Sequence, residues 1–152
     1  MQSKFVTAQP WLSLIFRLTL GAVLLIAGYL KAINLQKSAM AVRAYEMLPV
    51  SVANLFGHIL PWFEIAIGAL LILGAAVKIS AVLGGFTMLM FIVAISQAWA
   101  RGLSIDCGCF GGGGTVAPDQ TKYLEEILRD FGLMLMAFFL YRFPKGRFGL
   151  DK

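Results

Sequence analysis

The chain has 152 residues, of which 59% are hydrophobic and only 14% charged, and its formal net charge is +5. A soluble domain carries roughly 25% charged and about 45–50% apolar residues, so the composition argues against a water-soluble fold and for a membrane protein. The basic excess carries no nucleic-acid signal, because Lys and Arg beside a bilayer hold topology and meet anionic lipid.

Four long apolar runs follow in order. The first, Trp11–Leu30, reads "WLSLIFRLTLGAVLLIAGYL" and is interrupted only by Arg17. It exceeds the roughly 7–15 residues of a secretory h-region and ends in "GYLKA", so it is read as an anchored helix over about 11–30. The second helix is expected over about 52–77 and contains Glu64; the third, over about 79–99, has no charge at all. The fourth, over about 123–141, starts polar at "YLEEILRD" and turns apolar at "FGLMLMAFFLY". About 20 residues cross the hydrocarbon core and about 17 is the minimum, so each run is long enough. None alternates with the period of two that a barrel strand requires. The expected fold class is therefore all-α, an integral membrane four-helix bundle forming one domain over 1–152. A Gly-rich loop is expected at 100–121 and a basic tail at 142–152.

An even number of helices puts both termini on one side. The termini and the turn near Lys78 hold Lys4, Arg17, Lys78, Arg142, Lys145, Arg147 and Lys152; the other two loops hold Lys31, Lys37, Arg43, Arg101 and Lys122. The bias favours cytoplasmic termini in a bacterial inner membrane, with the 100–121 loop facing the periplasm. Disulfides persist on that side.

That loop contains "SIDCGCFGGGG" and both cysteines of the chain. In Cys107-Gly108-Cys109 the alpha carbons can reach the disulfide range of ~4.4–6.8 Å, and Gly108 widens the backbone angles available for closure. A staple over so short a loop gains little from chain entropy. A strained pair is more easily reduced and suits thiol–disulfide exchange. Gly111–Gly114 let a partner's backbone approach closely and offer N–H groups to a thiolate. Two other readings stay open: a flexible linker with idle thiols, and a soft ion such as Cu(I) held by two thiolates. A zinc site lacks ligands, since only His58 and a few carboxylates could complete one, and no metal site is assigned.

Charges inside membrane segments usually face the bundle interior or water. If the second helix starts near Ser51, Glu64 lies near mid-membrane; with Pro61 at the first helical position and Trp62 at the interface, the favoured reading, it lies just beneath the outer surface. There it could move protons during thiol chemistry or pair with Lys31, Arg101 or Arg129. Arg129 and Asp130 are drawn roughly 10 Å inward. Glu125 and Arg129, four residues apart, can pair along the helix, and structural pairing is the expected role. Gly21 and Gly28, with the Gly84-Gly85 pair, permit close helix contact.

"RLTLGAVLLIAGYLKAINL", "YEMLP", "LPWFEIAIGALLILG", "IDCGCFGG" and "LRDFGLMLMAFFL" together resemble the methylamine utilisation protein MauE family, within the DoxX-like group of small four-helix membrane proteins. The resemblance runs from about Arg17 to Tyr141, and "CGCFG" is its specific element. The family's characteristic residues would fall on Arg17, Gly28, Lys31, Pro49, Pro61, Glu64, Cys107, Cys109, Phe110, Gly111, Arg129 and Asp130. The resemblance implies an inner-membrane protein that helps the disulfides of a dehydrogenase subunit form alongside a thioredoxin-like partner.

The resulting expectation is a thiol–disulfide exchange protein. Cys107 and Cys109 react, Glu64 assists, and Gly108, Phe110 and Gly111 meet a periplasmic thioredoxin-fold partner. No cofactor is required. By likeness to the DsbB and VKOR proteins, which pair four helices with periplasmic cysteines, membrane quinone is an electron sink, bound among Trp62, Phe91, Gln97 and Trp99. Those proteins normally use two cysteine pairs, and this chain has one. The alternatives are a non-catalytic membrane anchor for a redox enzyme and a soft-metal carrier. The exposed pair could also bridge two copies of the chain.

Overall fold

A computed structural model describes residues 2–106, 114–115 and 122–144. Five helices and two short strands follow in order: α1 Gln2–Ala32, α2 Leu35–Ala44, α3 Val50–Leu73, α4 Val77–Ala100, β1 Ile105–Asp106, β2 Gly114–Thr115 and α5 Tyr123–Arg142. Three stretches, Thr7–Ala32, Val50–Leu73 and Val77–Ala100, are long and apolar enough to cross a membrane. α5 has 20 residues, but Glu125, Glu126, Arg129 and Asp130 crowd its first half, and its composition does not mark it as a span.

Among the described residues a short helix, α2, is added to the four that were expected. α2 begins because the Asn34 side chain accepts the Lys37 N–H at 3.1 Å, an N-cap that replaces a missing intrahelical partner. The second expected helix also ends early. Gly74, at φ 74°, closes α3 in the left-handed conformation, and the Ala75 N–H reaches back to the Leu70 carbonyl. This is the Schellman arrangement that glycine adopts without steric cost. Lys78 consequently lies in the first turn of α4.

The helices pack as two antiparallel pairs. α1 and α3 meet through glycine: a Cβ on Gly28 would lie 2.6 Å from the Pro61 carbonyl oxygen, and one on Gly68 would lie 2.7 Å from that of Gly21. Backbone contact of this kind lets membrane helices gain packing energy where burial from water contributes nothing. In the second pair Gly85 faces Ala137, and Trp99 packs against Tyr123 with ring centroids 5.9 Å apart. Leu20, Leu24, Ile67, Leu71, Met88, Leu133 and Leu140 fill the space between the pairs. Large apolar side chains such as Ile15, Ile26, Phe86 and Phe138 point outward, as a lipid-facing surface requires.

Pro61 lies inside α3, twelfth of its 24 residues, and not at its start. It has no N–H to offer the Gly57 carbonyl one turn earlier, and an unpaired carbonyl is costly in a membrane. Ser38 Oγ of α2 donates to that carbonyl at 2.7 Å. Gly57 presses so closely on α2 that a Cβ there would sit 2.3 Å from the Ala39 Cα. The proline therefore creates the acceptor that fastens α2 to α3. With α3 starting at Val50, Glu64 is its fifteenth residue and lies well inside the helix, which corrects the expected placement of Pro61 at the helix start.

Ser38→Ala is expected to cost about 1–3 kcal/mol by leaving a buried carbonyl without a donor. In a Pro61→Ala background the helix supplies its own N–H to Gly57, so Ser38→Ala then costs less than about 1 kcal/mol. Thermal unfolding in detergent measures both; equal costs in the two backgrounds would remove this account of α2.

Candidate functional site

The polar groups of the bundle interior gather at one level. Lys31, in the last turn of α1, places Nζ 2.9 Å from each carboxylate oxygen of Glu64 on α3, and the side chains are 4% and 0% exposed. The same ammonium lies 4.9 Å from the centre of the Phe91 ring on α4, within cation–π range. On α5, Arg129 Nε and Nη2 both lie 3.0 Å from Asp130 Oδ1. The second oxygen, Oδ2, is buried and meets no hydrogen-bond partner among the described residues.

A cavity of about 10 Å³ joins the two pairs, lined by Glu64, Arg129 and Asp130 with Val23, Ala27, Met88, Phe91 and Leu133. That volume is close to the lower limit for one water molecule. Two cations and two anions thus share one wall of the core and cancel in charge. Of the pairings open to Glu64, Lys31 is the one adopted. Arg17 is buried elsewhere on α1, one turn before Gly21, and its Nε has no partner among the described residues.

Phe91 stands nine residues before the end of α4, so the charge cluster lies roughly 14 Å from that end along the axis. Beyond it the chain turns into the ribbon. β1 and β2 pair antiparallel, Ile105 with Thr115 and Asp106 with Gly114. The two ends of segment 107–113 are therefore held at neighbouring strand positions. Cys107, Gly108, Cys109, Phe110 and Gly111 fall in that segment, outside the described residues.

The base of the ribbon is pinned by Tyr123, the first residue of α5. Its hydroxyl donates to the Leu103 carbonyl and accepts the Ile105 N–H at 3.1 Å. Tyr45, Ile95, Ala98, Ile105 and Tyr123 are all buried in one small core beneath it. Tyrosine suits this position because its ring fills apolar space while the hydroxyl reaches backbone that has left the helix.

Gln97 and Arg101, one turn apart, hold the end of α2 to the same region. Gln97 Nε2 and Arg101 Nη1 donate to the Tyr45 carbonyl at 3.1 and 3.3 Å, and Nη1 also reaches the Glu46 carbonyl at 3.1 Å. Gln97 is thus engaged with backbone. Trp62 is 57% exposed in the middle of α3 and Trp99 is 52% exposed, one residue from the end of α4. Because α3 and α4 are antiparallel, the two indoles differ in level by roughly 15 Å. The structure does not bring Trp62, Gln97 and Trp99 into one site.

Sequence reasoning did not single out Tyr123 or the Gln97–Arg101 clamp. A tyrosine opening a helix just after a glycine-rich loop was the available signal for the first. Nothing local marks the second, whose acceptor lies more than fifty residues away.

Lys31→Met is expected to destabilise the protein by about 3–5 kcal/mol by stranding a buried carboxylate, and adding Glu64→Leu should recover most of the loss. Thermal unfolding in detergent measures this; equal losses in single and double variants would contradict the pairing. Tyr123→Phe removes two backbone contacts and should weaken the ribbon base by about 1–2 kcal/mol. It would be seen as faster amide exchange at Ile105 while α5 stays protected.

The model of the family described as methylamine utilisation protein MauE matches residues 9–143. A curated relative, the methylamine utilization protein MauE of Methylorubrum extorquens, is 34% identical over 100 residues, covering 64% of this chain and 50% of the relative. The match spans about half the length of that relative. No solved structure matches the chain.

Proposed function

We propose a thiol–disulfide exchange role for this membrane protein, which belongs to the methylamine utilisation protein MauE family. The supporting observation is the β1–β2 pairing. It gathers the ends of the segment carrying Cys107 and Cys109 just past the end of a membrane helix, on a base anchored by Tyr123.

The chemistry needs two steps. A thiolate of a thioredoxin-fold partner attacks one sulfur of the Cys107–Cys109 disulfide, forming a mixed disulfide and releasing the other sulfur as thiolate. The partner's second thiolate then displaces the mixed bond. The partner leaves oxidised, and this chain becomes a dithiol, richer by two electrons and two protons. A two-electron acceptor restores the disulfide. A quinone in the bilayer would be reduced to quinol; a second disulfide protein would be reduced to a dithiol. A cleft of about 270 Å³ lined by Trp99, Lys122, Tyr123, Leu124 and Glu125 opens where the ribbon is anchored and suits the approach of either. Phe110 and the glycines around the cysteines would meet the thioredoxin-fold partner.

The wider setting belongs to the same reading. α5, about 30 Å long, serves as the fourth span, with Asp130 neutralised by Arg129. Both termini face the cytoplasm, and the cysteine segment faces the periplasm of a bacterial inner membrane. The relative's name places it in methylamine utilization, and a client in that process belongs to the same reading.

Redox titration of the purified full chain, read by thiol alkylation and mass spectrometry, tests the proposal. A two-electron Cys107/Cys109 couple between roughly −100 and −270 mV, the span of exchange proteins, is the expected result. Failure to form an intramolecular disulfide at any poise would defeat it. Retention of exchange activity by a stable Lys31→Met/Glu64→Leu variant would remove Glu64 from the chemistry and leave it a structural ion-pair partner.

A further inference from the structure

Between α2 and the first half of α3 lies a cleft of about 220 Å³ lined by Gln36, Ala39, Arg43, Asn54 and His58. No carboxylate is among these residues. The cleft exists because Ser38 and Ala39 are pressed onto Gly57, which leaves the polar side chains of both helices to converge beside that contact.

The chemistry of the walls is specific. Arg43 supplies a guanidinium fork matched to phosphate oxygens. His58 Nδ1 lies 2.7 Å from the Asn54 backbone carbonyl. A carbonyl can only accept, so Nδ1 carries the proton and donates. Nε2 is then the ring atom left to face a ligand, and in the neutral imidazole it accepts a hydrogen bond. Gln36 and Asn54 add amides able to donate and accept. A phosphate beside a hydroxyl satisfies this set: oxygens for Arg43, an O–H for His58 Nε2.

The position selects the source. α3, 24 residues and ~36 Å long, exceeds the ~30 Å hydrocarbon core by about four residues. If its C-terminal end lies at one boundary, Asn54 lies at the other. His58, one turn deeper, is exposed on the surface of a candidate membrane span, where a polar side chain needs a partner. Lipid headgroups lie at the Asn54 boundary, about one helical turn above His58. We infer that this cleft binds an anionic phospholipid with a hydroxylated headgroup, phosphatidylglycerol being the simplest example, on the same end of the bundle as the cysteine segment. The inference does not depend on thiol chemistry.

Native mass spectrometry of the full chain, presented with defined lipids, tests it. An arginine near the surface contributes about 1 kcal/mol toward an anionic lipid. Phosphatidylglycerol should therefore be retained about fivefold more tightly than phosphatidylcholine. Arg43→Gln should abolish that preference, and Arg43→Lys should keep part of it. Wild-type protein should also prefer phosphatidylglycerol to phosphatidylmethanol, which has the same charge without the glycerol hydroxyls. His58→Leu should erase this second preference and leave the first. Both positions are exposed, and circular dichroism in phosphatidylcholine nanodiscs checks that each variant is folded. Equal retention of the anionic and zwitterionic lipids, or a preference unchanged in folded Arg43→Gln, would overturn the inference. So would binding of free glycerol phosphate as tight as that of the lipid, which would assign the cleft to a soluble ligand.

Discussion

Lys31 and Glu64 can be buried in a membrane bundle only together, and the rest of the architecture accommodates that requirement. Either charge alone would carry a desolvation penalty of several kcal/mol. The pair forms because Gly28, one turn before Lys31 on α1, lets that helix touch the α3 backbone at Pro61 and Ile65. At that separation a lysine from the end of one helix reaches a glutamate in the interior of the other without strain. Phe91 closes the site from α4, and Asp130 and Arg129 complete a neutral group from α5. One polar cluster thus links the four long helices, in a bundle whose remaining contacts are mostly apolar and weakly directional.

A second constraint follows from a missing atom. Proline at position 61 has no N–H, and Ser38 supplies one donor in its place. The repair comes from outside the helix, so α2 becomes part of the bundle and ceases to be a loop. Its end is then available to Gln97 and Arg101, which join α2 to the last turns of α4. The ribbon end of the molecule is built from these side-chain-to-backbone bonds. They are directional where lipid-facing packing is not, and they give the short β-ribbon a rigid support.

The arrangement separates two jobs. The charge cluster lies roughly 14 Å from the end of α4, and the ribbon lies beyond that end. Its direct effect is on how the helices are held, whereas Tyr123 acts on the chain that leads to Cys107. The β1–β2 pairing holds the two ends of segment 107–113 at neighbouring positions.

The apolar runs, their lengths and the placement of two cysteines one residue apart were legible in the chain, since membrane residence depends on composition summed over about 20 residues and needs no tertiary information. Glu64, Lys31, Arg129 and Asp130 also declared themselves as charges that must find partners. Which partner each would take did not appear, because pairing depends on the relative rotation and depth of helices that no local pattern encodes. α2 was hidden by its mixed composition and Pro61 by its resemblance to a helix start; both became intelligible only when Ser38 met Gly57. The sequence by itself determined a membrane bundle with a paired-thiol segment. Tertiary structure decided the Lys31–Glu64 pairing, the neutral quartet and the tyrosine-pinned ribbon, since each is a contact between residues far apart in the chain.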